Sequence, residues 1–306
     1  MTSIDRLFRE VTEQLLSNSR ERQEIETDHV YQPANVKNRA LVDQIIERLV
    51  LPGSRIAGLE HLQELFQLSQ AGQSCLLLCE HYSNFDIPAL FYLAEQQPQG
   101  KALTESVIAM AGTKLNEESR FVLAFTEAYT RVVIYPARML QALEGTDRYE
   151  AERARSRVIN RAALREMIRR KHSGHIILLF PAGTRYRPGK PDSKQILLEV
   201  DSYMKGFDHV VFVGIAGNTL EVTATMDKDV PRLDAVVYQC SPVCSSAEFR
   251  LQHRTATEPE AAKQQVADAV RARFEELHRQ AARQRETILA ELETEGIRPQ
   301  AMPITF

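Results

Sequence analysis

The sequence predicts an α/β fold: a mostly parallel mixed sheet flanked by helices, with a small N-terminal helical lead-in. Two observations carry that expectation. Short, near-continuous apolar runs such as Ser74–Cys79, His175–Phe180 and His209–Ala216 read as strands buried on both faces, not as half-exposed alternating strands. Between them lie longer segments in which apolar residues recur at helical spacing, and such alternation builds parallel sheets with helices packed on both sides. With 306 residues, 43% of them hydrophobic, the chain can bury a full core.

Ile4, Leu7, Phe8, Val11 and Leu15 recur on one helical face, as do Val42, Ile45, Ile46 and Leu49. Residues 1–51 therefore read as a helical N-terminal segment ending at Pro52-Gly53-Ser54, and residues 52–306 as the α/β domain with its C-terminal helix. Leu59, Leu62, Leu65 and Phe66 predict a short helix before the first strand. The order expected after it is strand 74–79, helix 87–97, strand 105–111, helix 115–125, strand 131–135, helix 151–171, strand 175–180 and strand 209–216. Segments 219–225 and 234–239 alternate more strictly and predict an antiparallel edge. A long polar helix over 258–293 carries Val266, Val270, Phe274 and Leu277 on one side.

Charge excludes a general attraction to nucleic acid, because charged residues are 26% of the chain and the formal net charge is only −3. The charge is nonetheless uneven: segment 151–172 holds seven Arg and one Lys against two Glu. That is either a solvated helix face or a docking surface for an acidic partner or an anionic membrane. No apolar run approaches the roughly 20 residues that span a bilayer. The N-terminus is acidic too early for a signal peptide, so a cytoplasmic protein, at most peripheral to the inner face of a membrane, is expected. Four cysteines are too few for a disulfide framework. Cys75, Cys79 and His81 share strand parity, but a buried strand that contains thiols explains them without a metal, and Cys240-x3-Cys244 is no stronger.

Chemistry concentrates in two loops. The run 74–79 leads into Glu80-His81-Tyr82-Ser83-Asn84-Phe85-Asp86, and Asp86-Ile87-Pro88 has the form of a helix start, with Asp as N-cap and Pro in the first turn. Such a strand–loop–helix corner can set one imidazole beside one carboxylate. The ring then takes a proton from a hydroxyl while the carboxylate fixes its tautomer. The second loop, Phe180-Pro181-Ala182-Gly183-Thr184-Arg185-Tyr186-Arg187, follows the buried strand 175–180. Its small residues let backbone approach a ligand, and two guanidinium forks at i and i+2 suit a phosphate. Both loops leave the carboxyl ends of strands, where parallel sheets collect ligands.

These residues resemble a family. His81-Tyr82-Ser83-Asn84-Phe85-Asp86 is similar to the HX4D signature of the glycerolipid acyltransferases, and Phe180-Pro181-Ala182-Gly183-Thr184-Arg185 resembles their second landmark, FPEGTR. Ala109–Lys114 fits the small-residue strand and basic residue between them, and Val210–Ile215 the apolar strand that follows; the resemblance covers residues 55–240. Ala182 stands where enzymes acting on lysophosphatidic acid usually carry Glu. Gly183–Pro188 looks more like the soluble, plastid-type glycerol-3-phosphate acyltransferases, and Tyr135–Met139 matches a stretch that contacts phosphate in that type.

The resemblance implies transfer of a fatty acyl group from an acyl thioester, carried by acyl carrier protein or coenzyme A, to the sn-1 hydroxyl of glycerol 3-phosphate. His81 is the implied base and Asp86 its orienting carboxylate. Arg185 and Arg187, with Arg138 or Lys114, hold the phosphate, while Gly183 and Thr184 offer backbone near the reacting carbonyl. No cofactor is implied, and the arginine-rich segment 151–172 is a candidate dock for acidic acyl carrier protein. A lysophosphatidic acid acceptor and a catalytically silent lipid- or carrier-binding member are the alternatives. A hydrolase using Ser83 fares worse, because no Gly-x-Ser-x-Gly elbow surrounds it.

Overall fold

Strands buried on both faces need a helical layer on each side, and the computed structural model supplies both. It describes residues 8–20, 25–113, 115, 120–222 and 229–301. Helix α1 (Arg9–Asn18), strand β1 (Tyr31–Gln32) and α2 (Val36–Glu47) come first, then β2 (Arg55–Ala57) and α3 (Leu59–Gln70). The central run follows: β3 (Cys75–Cys79), α4 (Asp86–Glu95), α5 (Gly100–Ser106), β4 (Val107–Gly112), α6 (Arg120–Thr126), β5 (Arg131–Ile134), α7 (Ala137–Gln141), α8 (Tyr149–Lys171) and β6 (Ile176–Leu179). A 3-10 turn (Pro191–Lys194) and α9 (Glu199–Lys205) lead to β7 (His209–Ala216), β8 (Leu220–Glu221), β9 (Val230–Leu233), β10 (Val237–Cys240) and β11 (Cys244–Ser245). The chain closes with α10 (Ser246–His253), the long α11 (Pro259–Thr294) and β12 (Gln300–Ala301).

The main sheet runs β1-β5-β4-β6-β3-β7-β10-β2, with β11 also on β7. Strands β5, β4, β6, β3 and β7 are mutually parallel; β1 is antiparallel to β5, and β10 and β11 to β7. The fold is thus the mostly parallel mixed sheet flanked by helices that the apolar runs predict. Alternate residues of each central strand enter opposite layers. Cys75, Leu77 and Cys79 pack with α1 to α6, whereas Leu76 and Leu78 pack with α8 to α11.

The N-terminal helices share that first layer: Phe8, Val11, Leu15, Val42 and Ile45 are in the same cluster as β3. Asn38 on α2, fully buried, donates to the carbonyls of Leu15 (3.3 Å) and Ala124 (3.0 Å) and so ties α1, α2 and α6 together.

Several details depart from expectation. Helix α5 precedes β4, so the strand starts at Val107, not at 105. The 219–225 segment contributes only Leu220–Glu221, and it pairs with β9 in a separate small sheet, β12-β9-β8. Residues 223–228 lie outside the described residues, as do Ile4 and Leu7 of the first apolar stripe and residues 116–119 of helix 115–125. The antiparallel strand expected near 234–239 is β10, but it is not the edge: β2 pairs with its far side, in parallel.

Helix α11 lies close to β7, and Gly214 permits it. A β-carbon there would stand 2.7 Å from the backbone of Leu277 and His278. Gly214→Ala is therefore expected to destabilise by about 1–3 kcal/mol in denaturant titration, because helix and strand must separate. An unchanged midpoint would show that α11 does not approach β7 this closely.

Candidate active site

Strands β3 and β6 are parallel neighbours in register, with Leu78 opposite Leu179. The two chemistry-bearing loops therefore leave the same edge of the sheet side by side. Phe180 stacks its ring on the His81 imidazole, centroids 3.9 Å apart and planes 12° from parallel. The backbone N–H of Tyr186 donates to the His81 carbonyl at 2.7 Å. Backbone and ring together hold the histidine against the arginine loop.

Asp86 organises the corner. Its carboxylate, 5% exposed, accepts from the Tyr82 N–H (2.6 Å), from the Ser83 N–H (3.0 and 3.1 Å) and from the Ser83 hydroxyl (3.1 Å). It also lies 2.8 Å from His81 Nδ1. A carboxylate surrounded by donors is an acceptor, so Nδ1 carries the proton and Nε2 keeps its lone pair. The expected N-cap role of Asp86 is corrected here. Asp86 is the first helical residue, Phe85 occupies the cap position without a side-chain cap bond, and the carboxylate turns back onto the preceding loop. Loop N–H groups and an imidazole together offer it more donors than a helix end does. From below, the buried Tyr238 hydroxyl donates to the Asp86 carbonyl at 2.7 Å. Ser83 is 1% exposed, and its hydroxyl, spent on Asp86 and accepting from the Phe85 N–H, is no nucleophile.

The anion loop is less symmetrical than two adjacent arginines imply. Pro181 and Gly183 form a tight turn in which the Gly183 N–H donates to the Phe180 carbonyl (2.9 Å). Gly183 has φ +65°, and a β-carbon there would stand 2.7 Å from the end of the Leu197 side chain, so the position favours glycine. That amide is consumed by the turn, which corrects its expected place at the reacting carbonyl. Among the described residues the N–H and hydroxyl of Thr184 have no partner. Arg185 is 6% exposed and pairs with the buried Asp229 at 2.6 Å, so it is not the freely presented fork the sequence predicts. A guanidinium taken out of water needs a counter-charge, and Asp229 provides it. Arg187 is half-buried. Its N–H donates to Ser193 Oγ (2.9 Å), and its guanidinium has no partner among the described residues.

Arg138 lies on α7, beyond β5 and two strands away from β6, half-buried and without a partner among the described residues. Lys114 falls outside the described residues. Cys75 and Cys79 are buried thiols whose pKa desolvation raises, that of Cys75 to about 12. Among the described residues the one group of three His, Cys, Asp or Glu close enough to share an ion is Glu26, Asp28 and His29, which precede β1 at the far flank of the sheet, three strands from β6.

A second polar cluster escaped the sequence reading. Glu80 is 12% exposed and accepts from the Ile215 N–H (2.8 Å) and the Tyr82 hydroxyl (3.0 Å). His278, on α11, donates from Nδ1 to the Ile215 carbonyl (2.6 Å) and stands 3.5 Å from the Glu80 carboxylate. Lys194 approaches the faces of Tyr186 (4.4 Å) and Tyr82 (5.3 Å). The partners are nearly 200 positions apart in sequence, which hides the cluster; only Glu80, a charge at the end of an apolar run, hinted at it.

The Glu80 carboxylate, chiefly by hydrogen bonding, raises the pKa of His278 above its ordinary value, against the desolvation that lowers it. A histidine raised on folding stabilises fully below its unfolded pKa, about 6.5, and loses that contribution as pH rises through the folded value. Stability measured from pH 6 upward should fall through this window, and Glu80→Gln should flatten the fall and lower the His278 titration midpoint seen by NMR. A His278 midpoint unmoved by Glu80→Gln would contradict the pairing.

No protein-family model matches the chain, and no curated protein matches it.

Proposed function

We propose that the protein is an acyltransferase of the glycerolipid type, moving a fatty acyl group from an acyl thioester of coenzyme A or acyl carrier protein to the sn-1 hydroxyl of glycerol 3-phosphate. A cytoplasmic site of action belongs to the same proposal. The observation that carries it is the His81–Asp86 pair at 2.8 Å, with Nε2 without a hydrogen-bond partner among the described residues, stitched through Phe180 and Tyr186 to the loop that bears Arg187.

His81 Nε2 takes the proton of the acceptor hydroxyl as its oxygen attacks the thioester carbon. Asp86, already bound to Nδ1–H, stabilises the imidazolium that forms. The tetrahedral intermediate expels the thiol, which leaves with the proton returned from Nε2, and the C–S bond is exchanged for a C–O ester bond. The Thr184 N–H is the free backbone donor for the oxyanion. Arg187 is the principal phosphate ligand. Arg185, held by Asp229, shapes the loop and contributes less charge. Holding the phosphate fixes the hydroxyl at the base, and such positioning contributes as much as the proton transfer itself.

Variants separate these roles when thiol release from an acyl thioester is followed with glycerol 3-phosphate as acceptor. His81→Ala should lower kcat by about 10²–10⁴-fold with unchanged circular dichroism. Retention of most activity would remove His81 from the mechanism. Arg187→Ala should raise KM for glycerol 3-phosphate by about tenfold or more, leaving that for the thioester nearly constant. The reverse pattern would remove the phosphate role.

A further inference from the structure

Helix α8 packs Ile159, Ala162, Ala163 and Met167 against the sheet and turns its opposite face to solvent. That outer face has an unusual make-up. Val158, Leu164 and Ile168 are 53%, 50% and 47% exposed, three of the five large aliphatic side chains so exposed among the described residues. Arg157, Arg161 and Arg165 are exposed beside them, repeating every four residues.

The acidic residues of the helix do not reach these arginines. Glu150 pairs with Arg153, Glu152 with Arg148 and Arg155, and Glu166 with Arg169 and Arg170. Among the described residues Arg157, Arg161 and Arg165 have no ion-pair partner. Three uncompensated positive charges thus stand in a row about 12 Å long, one residue away from a pair of branched aliphatics.

We propose that this face of α8 rests on an anionic lipid bilayer, with Leu164, Ile168 and Val158 entering the headgroup layer and the three arginines binding lipid phosphates. Charge complementarity selects a negative occupant. A second copy meeting face to face would set arginine row against arginine row. A protein partner is the poorer fit. Protein interfaces rely on aromatic anchors and a hydrogen-bonding polar rim, whereas the outward positions from Ala154 to Arg169 are Arg and aliphatic, apart from Asn160, whose amide is tied to Tyr135. A convex helix with aliphatic side chains between arginines suits a deformable, uniformly anionic surface. The inference stands on this surface and is independent of the chemistry proposed for His81.

Co-sedimentation tests it with the full chain, without substrate, on phosphatidylcholine vesicles with and without phosphatidylglycerol. The wild type should partition onto the anionic vesicles, less strongly as salt rises, and hardly onto neutral ones. The triple variant R157E/R161E/R165E should bind at least about 100-fold more weakly, and L164Q/I168Q should weaken binding at every salt concentration. Both variants alter exposed positions, and thermal melts confirm that they fold. Equal binding to neutral and anionic vesicles, or undiminished binding of the triple variant, would overturn the proposal. So would absence of vesicle binding together with charge-dependent binding of a purified acidic carrier protein, which would assign the face to a protein partner. Acyl transfer with intact kinetics but no vesicle binding would refute this inference alone, whereas vesicle binding without transfer would refute only the proposed reaction.

Discussion

One buried carboxylate organises the functional edge of this molecule. Asp86 accepts two backbone N–H groups, a hydroxyl and the His81 ring within a single loop. A carboxylate this buried needs such donors, since an unpaired charge there would cost several kcal/mol. The donors in turn fix the loop, because Tyr82 and Ser83 can reach the carboxylate only if the chain folds back over the start of α4. The histidine tautomer follows without any further device. The imidazole is therefore oriented in advance for the general-base role proposed for it.

The sheet supplies the rest of the geometry. Strands β3 and β6 are far apart in sequence, yet parallel pairing in register brings their carboxyl ends together. Because β4 and β5 lie to one side of this pair and β7 to the other, the two loops sit mid-sheet at the carboxyl ends of parallel strands, where α/β sheets collect ligands. Phe180 then packs flat on His81, and Tyr186 closes a backbone bond across the two loops. Beneath them, Glu80 and His278 anchor the end of β7 and the side chain of Tyr82. The same helix α11 that delivers His278 is admitted by Gly214, so core packing and loop support are coupled.

Much of this was legible in the residues themselves. Doubly buried strands leave continuous apolar runs, which is why β3, β6 and β7 and the parallel class could be read directly, and why the edge strands β1 and β2, with two and three residues, too short to show a pattern, could not. The His81–Asp86 pairing was visible because both residues sit in one loop. The fate of Arg185 was not: its partner Asp229 lies 44 positions on, and nothing local marks a guanidinium as buried. For the same reason the Glu80–His278 contact was hidden, and the basic segment 151–172 could not be divided into paired and unpaired arginines until helical phase and the positions of Glu150, Glu152 and Glu166 were known. Asp86 misled in a smaller way, because an Asp before Ile-Pro reads as a cap even when its carboxylate points backwards.

The central proposal is that an imidazole base beside an arginine loop activates a phosphorylated alcohol for acyl transfer from a thioester. The most direct measurement is product identification by mass spectrometry after incubating the protein with an acyl thioester and either glycerol 3-phosphate, glycerol, a lysophospholipid or water alone. The account predicts an acylglycerol phosphate from glycerol 3-phosphate, with glycerol a far poorer acceptor. Free fatty acid as the main product in every mixture, or equal acylation of glycerol and glycerol 3-phosphate, would contradict it.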